Sequence, residues 1–180
     1  MRKGFTLVEV LAVLIILGVL MVIAVPAYTQ VYKNLKYQNL QGKITEISTA
    51  GKKYGETIKD EIKNAGNTCY NTTISQLIIG GYLVSDTDKE PAMINPTNNS
   101  KLNGQVKICY CENDYDIEAF YTTNFSNKKE YFEGDVVVYN GTLYECTAYY
   151  KAGVVNKNTN TLTYETASSV ISKYFRQVDC

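Results

Sequence analysis

Few residues in this chain have the types and spacing to do chemistry, and the most suggestive lie at its amino end. Gly4 precedes Phe5, a carboxylate follows at Glu9, and from Val10 to Ala27 run eighteen uncharged residues, all apolar but for one Gly and one Pro. That length is about the minimum that spans a bilayer as a helix. A cleavable secretory signal places its small residues after a shorter apolar core. Here the small residue, Gly4, comes before the apolar run, so a cut after it leaves the hydrophobic segment on the mature chain. The cut would also create an α-ammonium on Phe5, about one turn from Glu9 in the same helix and within reach of Glu9 of a neighbouring chain in a bundle. A carboxylate in an apolar helix costs roughly 2.5 to 3.5 kcal/mol at the bilayer centre, and less near the interface. Snorkelling to the headgroups relieves that cost, and so does pairing with a Phe5 amine, which turns the buried charge into an assembly signal.

The remaining composition argues against catalysis. The chain has no His, which removes the usual general base, the Ser-His and Cys-His nucleophile pairs and the commonest zinc ligand. Formal net charge is zero, so no global field steers it toward nucleic acid. Asp114, Asp116 and Glu118 alternate as on a solvated strand face, with no Gly placed for a tight ion-binding loop, and no metal or cofactor is expected. Five cysteines, Cys69, Cys109, Cys111, Cys146 and Cys180, suit a disulfide-permitting compartment, and an odd count leaves at least one thiol free or paired between chains. Two bridges among five cysteines allow fifteen arrangements. The Cys109/Cys111 spacing suits neither a mutual bridge nor a C-x-x-C metal pattern, so each should look elsewhere.

The elements that must carry these residues follow from periodicity. Arg2 and Lys3 form a positive cytoplasmic flank. Beyond the apolar run, Tyr28, Val31, Leu35, Leu40, Ile44, Ile47, Tyr54, Ile58 and Ile62 recur mostly at helical spacing, with Lys and Glu on the other faces. One helix from about Phe5 to Asn64 would extend roughly 90 Å. Gly42, Gly51 and Gly55 weaken it, and either bend it or let a sheet pack close. Ala65-Gly66-Asn67 ends it. A short helix over Thr73–Ile79, capped by Thr72 or Thr73 and stopped by Gly80-Gly81, leads into a polar loop with Pro91 and Pro96. Val106–Cys111 and Tyr115–Tyr121 alternate as a hairpin, and Asp135–Tyr139 with Thr142–Tyr149 form a second one around Asn140-Gly141. Val154–Thr163 reads as a polar surface loop and Thr166–Gln177 as a short helix. After the first 27 residues or so, about 150 remain, enough for one domain.

Gly4-Phe5-Thr6-Leu7-Val8-Glu9, the hydrophobic run and Pro26-Ala27-Tyr28 resemble the N-terminal signature of type IV pilins of the short-leader class. The resemblance implies an α+β fold, a long N-terminal helix packed on an antiparallel sheet head. It divides the chain into a leader, 1–4, a membrane or filament-core helix, 5–27, an amphipathic helix, 28–65, and a head, 66–180. The head comprises a connecting region, 66–104, strands over about 105–150 and a C-terminal loop and helix, 151–180. It further implies removal of Met1–Gly4 by a membrane prepilin peptidase, methylation of the Phe5 amine, pairing of Glu9 with a neighbouring Phe5, loosening of the helix at Pro26, and assembly with other copies and other pilins by a pilus machinery. The sequence with its leader would then be the precursor, inserted in the cytoplasmic membrane before it joins a surface filament serving adhesion or motility. Pilins often staple the carboxyl end, which suggests Cys146 with Cys180, and Cys69 with one of Cys109 and Cys111. A pseudopilin of a secretion machine shares the same N-terminal signature.

Tyr131 to Cys146 also resembles the hairpin of small chitin-binding modules, with Tyr174-Phe175 closing it. Such modules stack exposed aromatics, commonly Trp, on sugar rings. Trp is absent here, which leaves Tyr149 and Tyr150 as the glycan contacts of a tip-located minor pilin.

Overall fold

The computed structural model describes residues 7–64, 69–111, 116–156 and 159–178, and for residues 23–27 and 30 the backbone alone. Gly4, Phe5 and Cys180, the 65–67 helix stop and the 112–114 turn therefore lie outside the described residues.

The first described element is α1, Leu7–Thr57, a 51-residue helix about 77 Å long. It stops earlier than the periodicity predicts. Ile58 donates its N–H to Gly55 three residues back, and a separate turn, α2, Lys59–Asn64, buries Ile62. The apolar stripe is also covered over only part of its length. Tyr28, Val31 and Leu35 are exposed, Ile44 and Tyr54 are half-buried, and Ile47 and Ala50 are buried.

Cys69–Thr73 forms β1, where a connecting segment was expected. The helix after it, α3, Ile74–Ile79, is capped as read. Thr73 accepts the Gln76 N–H while the Gln76 side chain accepts the Thr73 N–H, and Gly80 closes the far end. The strands β2, Gln105–Cys111, and β3, Asp116–Asn124, form the first hairpin. The second joins β4, Val136–Tyr139, to β5, Thr142–Cys146, with Asn140 and Gly141 both at positive φ, as a primed two-residue turn requires. Two short strands, β6, Val154–Asn156, and β7, Thr161–Thr163, form a separate ribbon in what read as a loop. The last helix, α4, Ala167–Tyr174, is capped by Thr166 and ends sooner than predicted, because Phe175–Gln177 joins the main sheet as β8.

The main sheet runs β1-β2-β3-β4-β5-β8. The fold is thus α+β and pilin-like, a long N-terminal helix on an antiparallel-rich sheet. One neighbour pair departs from the antiparallel expectation: β3 and β4 run parallel over Thr122–Asn124 and Val136–Val138, because an eleven-residue excursion brings the chain back to the same end of the sheet. Two hydrophobic cores result. The first joins Ile47 and Ala50 of α1 to Ile74, Leu77, Met93, Val106, Ile108 and Ile117. The second gathers Val137, Cys146, Val170, Ile171 and Phe175 with Tyr131 and Tyr150.

Two glycines set how closely α1 lies on the sheet. A Cβ at Gly51 would fall 2.7 Å from Val106 Cγ1, and one at Gly55 2.5 Å from both Ile108 Cγ2 and Ile117 Cγ2. Gly42 meets open space. Gly55→Ala is therefore expected to destabilise the head by roughly 1–3 kcal/mol through overpacking. Gly42→Ala, at an uncrowded helix position, is expected to stabilise it by up to about 1 kcal/mol. Thermal unfolding of both variants in detergent checks the pair, and equal effects of the same sign would contradict the packing account.

Candidate functional site

From Leu7 to Val22 nearly every large apolar side chain of α1 is exposed, from Leu17 at 46% to Leu7 at 80%. None of the described residues of the head covers this sleeve, and an exposed apolar surface of this size marks a site of contact with lipid or protein. Glu9 lies in the first described turn of α1, on the exposed surface. The backbone stays helical through Pro26, whose ring leaves the carbonyl four residues earlier without its usual donor. Among the described residues no helix is long and apolar enough to cross a membrane. The described side chains of the run stop at Val22, short of the Val10–Ala27 span on which the sequence expectation rests.

A second set of functional groups lies where the helix meets the carboxyl-terminal strands. The Tyr37 ring packs on Phe132 with centroids 3.7 Å apart. Asp135 Oδ1 accepts the Tyr37 hydroxyl at 3.2 Å and Gln41 Nε2 at 3.0 Å, and Oδ2 accepts the Phe132 N–H at 2.8 Å. Gln41 Nε2 also donates to the Tyr37 hydroxyl. Burial pushes the Asp135 carboxyl above the ordinary carboxylate range, although these three donors oppose the shift. Burial, reinforced by the Asp135 charge, likewise holds the Tyr37 hydroxyl well above its usual value. Sequence reading took Asp135 only as the start of a strand. A single acid before three valines carries no mark of the helix residues it meets nearly a hundred positions away.

The cysteines divide differently from the expected staple. Cys69 on β1 is joined to Cys109 on β2, its register partner. Cys111 is also disulfide-bonded. Cys146 is free, correcting the expected link to Cys180. It lies inside the second core, and its S–H donates to the Ala148 carbonyl at 3.1 Å. Burial pushes its thiol up to about 11, with the charges of Asp135, Glu133 and Glu145 adding to the effect.

The two tyrosines proposed as glycan contacts part company. Tyr150 is buried, with its hydroxyl donating to the Asn127 carbonyl at 2.8 Å and its ring against Tyr131 and Tyr174. It presents no ring face to a sugar, because the second core needs it. Tyr149 is 49% exposed and leans on Phe132 at 5.0 Å, extending the Tyr37–Phe132 contact into a three-ring ladder. The acids of β3 stay half-exposed, on the strand positions that alternate with the buried Ile117 and Ala119. Asp116 and Glu118 both meet Lys52 Nζ, at 2.8 and 3.3 Å, and this contact holds the Asp116 carboxyl below its ordinary range.

The Asp135 contact yields two expectations. Asp135→Ala strands the Phe132 N–H and the Tyr37 hydroxyl proton, leaves Gln41 only its bond to Tyr37, and should cost roughly 2–4 kcal/mol in equilibrium unfolding. The raised folded pKa gives the sign of the pH effect. The proton binds the folded state more tightly, so the associated stability is present below the unfolded pKa and is lost as pH rises through the folded one. The stability of the parent chain relative to Asp135→Asn should therefore grow as pH is lowered from neutral toward the ordinary carboxylate range, and a difference independent of pH would contradict the assignment.

No solved structure matches the chain. Residues 1–25 match the family described as the prokaryotic N-terminal methylation motif. The matched segment takes in the whole exposed sleeve from Leu7 to Val22, Glu9 included, and with it the chain carries the signature of type IV pilin and pseudopilin prepilins.

Proposed function

We propose that this chain is a structural subunit of a type IV pilus, made as a membrane-anchored prepilin, cleaved between Gly4 and Phe5, methylated on the new Phe5 amine and polymerised through its N-terminal helix into a surface filament. The observation that carries this reading is the coincidence of the methylation motif with a helix half that the chain's own head leaves bare. Burying that sleeve is favourable at about 25 cal/mol per Å² of apolar area, first in lipid and then among other copies. Gly4 and Phe5 serve processing, Glu9 sets subunit register against a neighbouring Phe5 amine, and Pro26 marks where the helix loosens on assembly. Prepilin peptidase and the pilus assembly machinery are the partners this role requires. The chain acts as scaffold, and the covalent chemistry is the peptidase's.

A glycan-binding tip subunit has less support. Of its two tyrosines only Tyr149 is exposed, and a single half-exposed ring is a poor platform for a polysaccharide. The pseudopilin reading shares the motif, and composition of the fibre separates it from the pilus reading. Mass spectrometry of filaments sheared from producing cells should find this chain abundant and beginning at a methylated Phe5. Its absence from sheared fibres would favour the pseudopilin. Glu9→Ala should leave cleavage after Gly4 intact and reduce filament yield by about tenfold or more, in line with an unpaired ammonium left among apolar helices. Normal filament numbers from that variant would sink the register role.

A further inference from the structure

The neck of the molecule, where α1 passes from its apolar sleeve to the head, carries a cleft of about 710 Å³ that the assembly reading does not use. Lys33, Tyr37 and Gln38 on the helix line one wall, and Phe132, Tyr149 and Lys151 at the base of the second core line the other. Both lysines are exposed, and the ion pairs among the described residues engage neither. One carboxylate, Glu130, shares the cleft, and it sits beside the Tyr149 hydroxyl. Just before the cleft Tyr28 and Tyr32 stack at 6.0 Å, with Lys36 Nζ 4.9 Å from the Tyr32 ring centre. The neck thus presents Lys33, Lys36 and Lys151 against Glu130 and the buried Asp135 carboxyl behind Tyr37 and Phe132, interleaved with half-exposed aromatics.

Position along the helix gives this composition its meaning. Lys33 is six residues beyond Ala27, the last of the uncharged run, or about 9 Å further along the axis. The headgroup layer on each side of a bilayer is about 5–8 Å thick. With the apolar run in the hydrocarbon, Tyr28 and Tyr32 fall at the interface, where amphipathic rings concentrate. Lys33 then stands at the outer edge of the headgroups, and its flexible stem lets the ammonium reach back to phosphate level. Lys151, across the same cleft, is brought to the same depth by the packing of Phe132 on Tyr37.

We infer that the cleft between Lys33 and Lys151 binds the phosphate of an anionic phospholipid headgroup, seating the base of the head on the membrane while the chain waits in the bilayer. This rests on the membrane-anchored precursor reading above. The ligand chemistry is a phosphate monoanion held between two ammonium groups, with Asn34 and Gln38 as neutral hydrogen-bonding partners on the same wall.

Amide hydrogen exchange of the full chain, reconstituted in bilayers of phosphatidylcholine with and without phosphatidylglycerol, tests this directly. With the anionic lipid, exchange in 130–132 and 149–151 should slow by about fivefold or more, the scale of one lysine at an anionic surface. The double variant Lys33→Gln/Lys151→Gln should lose that slowing, whereas Lys53→Gln, higher on α1, should keep it. Equal exchange in the two lipids, or slowing that survives the double variant, overturns the site. Slowing of the same size on adding inorganic phosphate to phosphatidylcholine bilayers assigns the cleft to free anions and overturns the lipid assignment. Flotation of the chain with both kinds of vesicle is measured alongside. A chain that floats with neither refutes the membrane-anchored reading as well, whereas one that floats with both but shows no lipid-dependent protection refutes the headgroup contact alone.

Discussion

The close approach of α1 to β2 and β3 is the contact on which the rest of the molecule depends. A helix of 51 residues whose amino half is uncovered gains no folding energy from that half, so the head must hold the helix through the remainder. It does so where Gly51 and Gly55 leave no side chain, and Val106, Ile108, Ile117 and Ala119 sit against the helix backbone. Ile47 and Ala50 on the preceding turn complete the buried face. Two glycines in a helix interior each cost about 1 kcal/mol relative to Ala. That cost is offset because a shorter helix–sheet distance brings four branched or small side chains of the sheet into van der Waals contact at once.

The carboxyl-terminal third is attached by different means. It has its own core, its own helix α4 and a short parallel junction to β3. Among the described residues its hydrogen-bonded tie to α1 is Asp135, meeting Tyr37 and Gln41 one turn apart on the helix. A buried carboxylate with three donors fixes orientation more than it adds stability, since desolvation consumes most of what the donors return. The sheet therefore reads as two packed units sharing six strands, the first bound to the helix by shape and the second by one polar contact and a ladder of rings.

How much of this the sequence made legible follows the range of the forces involved. Local signals were read correctly: Thr73 as one of two candidate helix caps, the Asn140-Gly141 turn of the second hairpin, the period-two strands of the first, and the motif at the amino end. Failures came where a partner distant in sequence decided the outcome. Cys69–Thr73 has no hydrophobic alternation, and it is a strand because β2 offers it an edge and Cys109 a bond. Phe175–Gln177 continues the helical pattern of α4 in sequence but leaves the helix to pair with β5. Tyr149 and Tyr150 are identical neighbours, and on adjacent positions of an extended chain one faces the core and the other the cleft. Nothing local says which.

The placement of the sulfur atoms reinforces the same helix–sheet contact. Cys69–Cys109 closes a loop of 40 residues and fastens the edge strand β1 to β2, the strand that carries Val106 and Ile108 against α1. In the chain-entropy account such a loop contributes about 4 kcal/mol. Covalent reinforcement thus lies on the unit through which any force along the helix must pass into the sheet. The second core receives no such bond from Cys146, which is kept protonated and walled in by Val137 and Phe175. A thiol in that state exchanges slowly with disulfides, because the reactive thiolate is scarce at neutral pH and the sulfur is out of reach. Burial therefore does for Cys146 what pairing does for Cys69 and Cys109: it keeps an odd cysteine from scrambling the bond that carries the load.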